Sequence, residues 1–298
     1  MTTKIINNKE TNKETNKKLN QNSNLLAKIG RMFIYFILIA QTVIVLVPVI
    51  WIIGSSMNPG NSLYGSTLIP KNPTFIHYIE LFTKTDFPRW YLNTLKIATL
   101  NMIFSVILIT ITSYVLSRFR FKGRKQGLMA MLILQMFPTI LSMTALYVLL
   151  WQLNLLNNHW GLVLIYVCGG IPYNTWLVKG YFDGIPRSLD EAGRIDGASN
   201  LTIFRKIILP LAKPIITFVA LTSFTAPWMD FLLPRLLIRS AENKTLAVGL
   251  YEWVTGQQNT KFTLFAAGAI LVAIPIVILF AFLQKNIVEG LSSGASKG

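Results

Sequence analysis

Three long stretches of this chain carry no charged residue: Met32 to Ile53, Gly127 to Trp160 and Phe262 to Gln284. A helix rises about 1.5 Å per residue, so about 20 apolar residues cross a bilayer core of roughly 30 Å. Each stretch is long enough. Only 13% of the 298 residues are charged, against about 25% in a soluble domain. Lipid is therefore the main solvent for much of this chain.

Hydropathy and length predict six transmembrane helices, near 32–53, 93–117, 127–150, 160–180, 214–234 and 264–284. Trp90-Tyr91 and Trp160 precede or open two of them, as aromatic residues do at membrane interfaces. Pro48, Pro138, Pro172, Pro227 and Pro275 fall within the candidate helices and predict kinks. Residues 1–31 are rich in Asn, Lys and Thr near their start and read as a disordered basic tail. The run behind the tail is too long for a signal-peptide core and lacks a small-residue cleavage site, so it reads as a retained first helix.

The net charge of +16 raises nucleic acid as a partner, and the distribution excludes it. The basic residues sit in alternate breaks between apolar runs. Twenty Lys and Arg fall in the tail, near 118–125, in 179–213 and after 284. Seven fall in the other breaks, and Lys96, near the start of the second helix, belongs to neither group. Cytoplasmic loops carry the excess of Lys and Arg. The expectation is an all-α, multi-pass protein of the cell membrane with both termini cytoplasmic. Its parts are the tail, a membrane domain over 32–284 and a cytoplasmic tail over 285–298. One cysteine, Cys168, and two histidines far apart in sequence give metal or redox chemistry almost no material. Cys168 reads as a buried small apolar residue.

The break between the fourth and fifth helices, 183–211, is too long for a turn. Ser188 and Glu191 have capping-box spacing and predict a helix through Ile195. Gly197 is placed as its left-handed terminator. Asn200 is placed to cap a second helix through Ile208, with Leu201, Phe204, Ile207 and Ile208 on one apolar face. Pro210 and Pro214 then break the chain. A short helix-turn-helix projecting from a membrane suits docking into a groove of a soluble partner; the alternative is that it lies on the membrane surface.

This loop resembles the motif shared by permease subunits of binding-protein-dependent ABC importers. That motif runs Glu-Ala-Ala, three residues, Gly, nine residues, Ile-x-Leu-Pro. Here it is Glu191, Ala192, Gly193, then Gly197, then Ile207, Leu209 and Pro210. Gly193 stands where the family has alanine. Within the family the chain looks closest to six-helix maltose/maltodextrin permease subunits, through Leu134 to Pro138, Thr245 to Gly249 and Gly290 to Gly298.

The resemblance implies a non-catalytic transport subunit that couples to ATP hydrolysis elsewhere. It implies a second permease subunit, two copies of a cytoplasmic ATPase holding ATP and magnesium, and an external solute-binding protein that delivers an oligosaccharide. No cofactor is implied for this chain, and the sequence has no phosphate-binding Gly-rich loop ending in Gly-Lys-Ser/Thr. The ATPase-coupling residues implied are Glu191, Ala192, Gly193, Asp196, Gly197, Ile207, Leu209 and Pro210. In the external loop, 235–263, Tyr251, Trp253 and Gln257, with Gln258 beside it, are the implied contacts to the binding protein. An interfacial aromatic belt is the alternative. Asp230, at the outer end of the fifth helix, is a candidate on its own account, since acids are costly in a membrane. The rivals in function are a permease for another sugar or glycerol phosphate, and an ion-coupled transporter. The latter needs paired intramembrane acids or inverted repeats, and neither is evident.

Overall fold

The computed structural model describes residues 2–60, 68, 70–255 and 261–295. All regular structure among them is helical. Four helices are long and apolar enough to cross a membrane, within α1 (Thr2–Ser56), α3 (Phe87–Arg118), α6 (His159–Asp183) and α13 (Phe262–Ala295). The other two candidates are broken. α4 (Arg124–Gln135) and α5 (Thr139–Gln152) meet at 108°. α10 (Lys213–Met229) meets the preceding segment Asn200–Leu211 at 78°. Among the described residues the count is therefore four, or up to six if each bent pair is one span. A small helix, α2 (Ile76–Thr83), leads into α3.

The largest departure from expectation is at Pro138. A kinked helix was expected over 127–150, but the helix stops. Proline disfavours the helical conformation of the residue before it and removes a donor. Pro138 is extended (φ −61°, ψ 124°) and α5 starts afresh behind it. At Asp230 the chain is also extended (ψ 121°), which ends α10 and separates it from α11 (Leu232–Leu237). α1 continues backward through the basic tail to Thr2, over a segment whose composition predicts disorder. Extending a formed helix avoids the cost of nucleation. α13 likewise carries on past Gln284 to Ala295.

α3 is the central element, packed on α6 and α10. Its inward face repeats small and polar residues at helical spacing: Thr94, Ala98, Asn101, Ser105, Ser113 and Ser117 are all buried. Small side chains let membrane helices approach closely and bond across the gap. Asn101 Nδ2 donates to Ser223 O of α10 at 2.6 Å, and Ser113 Oγ donates to Thr175 O of α6 at 3.1 Å. α12 (Leu246–Thr255) packs against α13 and α3 at the end where α3 begins, with Leu246, Val248, Gly249 and Leu250 buried. Gly249 lies directly under the Trp90 ring; a Cβ there would stand inside the ring's carbon shell.

Candidate functional site

The loop between α6 and α10 folds as two helical pieces around a glycine. α7 (Ser188–Ile195) ends at Asp196, and Gly197 takes φ +78°. Ala198 N donates to Gly193 O at 2.9 Å and Gly197 N donates to Arg194 O at 3.0 Å. These two bonds are the Schellman ending, which needs a residue at positive φ. α8 (Asn200–Ile203) then runs into a widened π turn over Phe204–Ile208 and on into α9 (Leu209–Leu211). A widened turn suits Pro210, which has no N–H to donate and whose ring crowds the preceding turn.

Both expected caps differ in detail. Ser188 does not cap α7. Leu189 N already donates to Pro186 O and Glu191 N to Arg187 O, so the helical bonding begins before Ser188. The second cap is Ser199, one residue earlier than expected: its backbone is extended and its Oγ accepts from Thr202 N at 3.2 Å. The buried face of the second piece is Ile203 and Ile208, while Leu201 is exposed.

The implied coupling residues divide into two groups. Glu191, Ala192, Asp196 and Gly197 are exposed at the tip. Ile195 joins them at 87% exposed; an isoleucine in a polar helix was the available signal for it. Gly193 is buried, and a Cβ there would lie 3.0 Å from Ile203 Cγ1 and 3.1 Å from Ile207 Cδ1. Ile207 joins a core with Tyr114, Phe182, Ile203 and Ile208. Leu209 and Pro210 line an apolar cavity of about 420 Å³ against α3 and α10. The tip is thus free, and the rest of the loop is fastened to the spans.

A polar network fastens it as well. Arg118, the last residue of α3, lies against Asp190 of α7, with Nε 3.2 Å from Oδ2. Arg118 Nη2 donates to Ile185 O at 3.0 Å. Arg187 Nη2 donates to Ser117 O at 3.3 Å and Arg124 Nε to Leu116 O at 2.6 Å, so arginines cover carbonyls left open at the end of α3. Neither Arg118 nor Asp190 was singled out by sequence, because the pair is made by residues far apart in the chain.

At the opposite end of the spans Asn157 (φ +55°) ties two loops together. Its Oδ1 accepts from Arg239 N, Ser240 N and Ser240 Oγ. Glu252 accepts from Arg235 and Lys244, both at 2.7 Å. Tyr251 is exposed and stacks on Phe231. Trp253 is half-buried against Trp90, so part of its surface serves the fold. Gln257 and Gln258 lie outside the described residues.

Asp230 also has a structural account. Its carboxylate accepts from Tyr166 OH at 2.8 Å and from Leu233 N at 3.3 Å, pinning the break between α10 and α11. Tyr166→Phe leaves Oδ2 without that donor. It is expected to lower stability by about 1–3 kcal/mol, read as an earlier thermal transition in detergent. Cys168 is exposed on α6, not buried as expected. Its helix is predominantly apolar, so exposure there means contact with lipid or another chain.

A model of the binding-protein-dependent transport system inner membrane component matches residues 107–293, which includes the whole loop. The chain belongs to this family. The galactooligosaccharides transport system permease protein GanQ of Bacillus subtilis is 47% identical over 273 residues, 91% of this chain and 96% of the relative. The maltodextrin transport system permease protein MdxG of the same organism is 44% identical over 277 residues, 93% of this chain and all of the relative. A solved bacterial ABC transporter involved in alginate import shares the fold at a TM-score of 0.75, with 25% identity, 87% of this chain and 96% of that one covered. Membership makes this a multi-pass membrane component of a transport system. It is the permease part of such a system, and no group of residues suited to holding a metal occurs among those described.

Proposed function

We propose that this permease is half of an ATP-driven oligosaccharide importer and that the α7 tip is where it meets its ATPase. The observation that carries the reading is the tip itself: a short helix ended by a glycine turn, exposed at Glu191, Ala192, Ile195 and Asp196, on a base packed into the spans. Family membership supplies the class of machine. A second permease subunit completes the path, and two copies of a cytoplasmic ATPase hold ATP and magnesium. An external binding protein delivers the sugar to the face that carries Tyr251. In this reading α4 with α5 is one span and the 17-residue α10 is another, which makes six spans with both termini cytoplasmic and the Lys and Arg excess inside.

Maltodextrin is the substrate to test first, and galactooligosaccharide second, because relatives of both kinds align over nine-tenths of the chain. In this reading, Glu191, Ala192, Asp196 and Gly197 face the ATPase. Gly193, Ile207, Leu209 and Pro210 hold the element against the spans. The test is reconstitution in vesicles with the second permease, the ATPase and the binding protein. ATP-dependent uptake of labelled maltotriose or galactotriose is the expected result. Uptake driven by a sodium or proton gradient without the ATPase overturns the reading.

A further inference from the structure

We propose that Arg118 and Asp190 are positioning residues that clamp α7 to the end of α3, so that the coupling helix and this central span move as one body. The inference rests on the coupling reading above, and it names the span that receives the motion.

Three observations carry it. The pair is deeply buried, with side chains 3% and 7% exposed, although both lie in or beside a loop. Arg118 reaches both ends of the segment that enters α7, touching Asp190 through Nε and Ile185 O through Nη2. The return contact, Arg187 Nη2 to Ser117 O, runs from the loop back to α3. Two residues at the end of α3 thus link to Asp190 of α7 and to Ile185 and Arg187 just before it. Ser117 Oγ extends the set to Asp183 at 2.6 Å, at the end of α6.

The third observation is that the pair is poorly finished as a stabilising device. Arg118 Nη1 is buried without a partner, and the Nε–Oδ2 contact is ionic rather than an aligned hydrogen bond. A buried ion pair that leaves donors unmatched is weak evidence for stability, and apolar residues of similar volume serve a static joint as well. A joint under load has another requirement: separating the two partners must be costly. Drawing a buried ion pair apart leaves both charges unpaired in a poorly solvated site, which has that property. Apolar contacts between α8 and the spans resist separation less directionally, since hydrophobic burial has no preferred direction.

The experiment uses the full transporter in vesicles: this chain, the second permease, the ATPase and the binding protein. Asp190→Asn keeps the shape and removes the charge. The expected result is an assembled complex whose ATP hydrolysis stays within about twofold of wild type, while labelled maltotriose moved per ATP falls about tenfold. Asp190→Glu keeps the charge and is expected to retain most of the ratio. An unchanged ratio in assembled Asp190→Asn overturns the clamp.

A second measurement serves if that variant does not assemble. Spin labels at Val115 and Ser188, both exposed, in a Cys168→Ser background, report the distance between α3 and α7. The clamp requires the same distance with and without ATP. Labels that move apart when ATP binds overturn it. A wild-type complex that hydrolyses ATP without moving sugar instead defeats the coupling reading, and the clamp then stands or falls on the label distance.

Discussion

Gly249→Val should prevent the membrane domain from reaching its packed state. Gly249 sits under Trp90, and its missing side chain is the space the indole occupies. Trp90 cannot move aside freely. It is buried, it packs on Trp253, and the Lys244 ammonium lies 5.7 Å from its ring. Small-to-large changes in a packed core cost about 1–3 kcal/mol, and more when the neighbour is rigid. Alanine is expected to fall at the upper end of that range, which for a chain of this size shifts the thermal transition down by several degrees. Valine adds two further methyl groups to the same contact. The check is gel filtration of the detergent-solubilised protein with a heating series. Wild-type yield and transition for Gly249→Val would show that α12 does not press on α3 as described.

Gly197→Pro is expected to separate ATP hydrolysis from transport. Proline fixes φ near −65°, and Gly197 needs φ +78°. It also lacks the N–H that Gly197 donates to Arg194 O. Both halves of the ending fail, so α7 loses its defined angle to α8 while the spans keep their packing. In reconstituted transporter, ATP hydrolysis should persist and sugar uptake fall by at least about tenfold, in line with losing a coupling of 1–3 kcal/mol. Gly197→Asn is the milder control, because asparagine tolerates the left-handed region better than other side chains. Full uptake in Gly197→Pro would show that the tip does not act as a joint.

The sequence was readable where one residue or one short window decides the structure. Uncharged windows define the spans because hydropathy is a local sum. Gly197 was readable because the left-handed turn is a position that favours glycine over every other residue. Pro138 was readable as a disturbance, yet nothing local distinguishes a kink from a 108° break. Caps were readable to within a residue: Ser199 and Asn200 are both good cap formers, and the extended backbone at Ser199 chose between them. Ser188 failed because Pro186 and Arg187 already supplied the first carbonyls.

What escaped were the long-range pairs. Arg118 looks like one of several bases in a basic loop, and Asp190 like the polite neighbour of a motif glutamate. Only folding places them together. The same holds for Gly249 and Trp90. Asp230 is the opposite case, conspicuous by chemistry and explained by the fold through Tyr166 and Leu233.

The first helix stands apart from this pattern. No residue in the most apolar window of Lys28–Ser56 is buried within the chain. Its firm links come at its end, where Ser55 and Ser56 are buried and Ser56 Oγ lies 2.8 Å from Tyr78 OH. Membrane helices insert on their own hydropathy before they pack. Such a helix can enter the bilayer before any later span exists for it to touch.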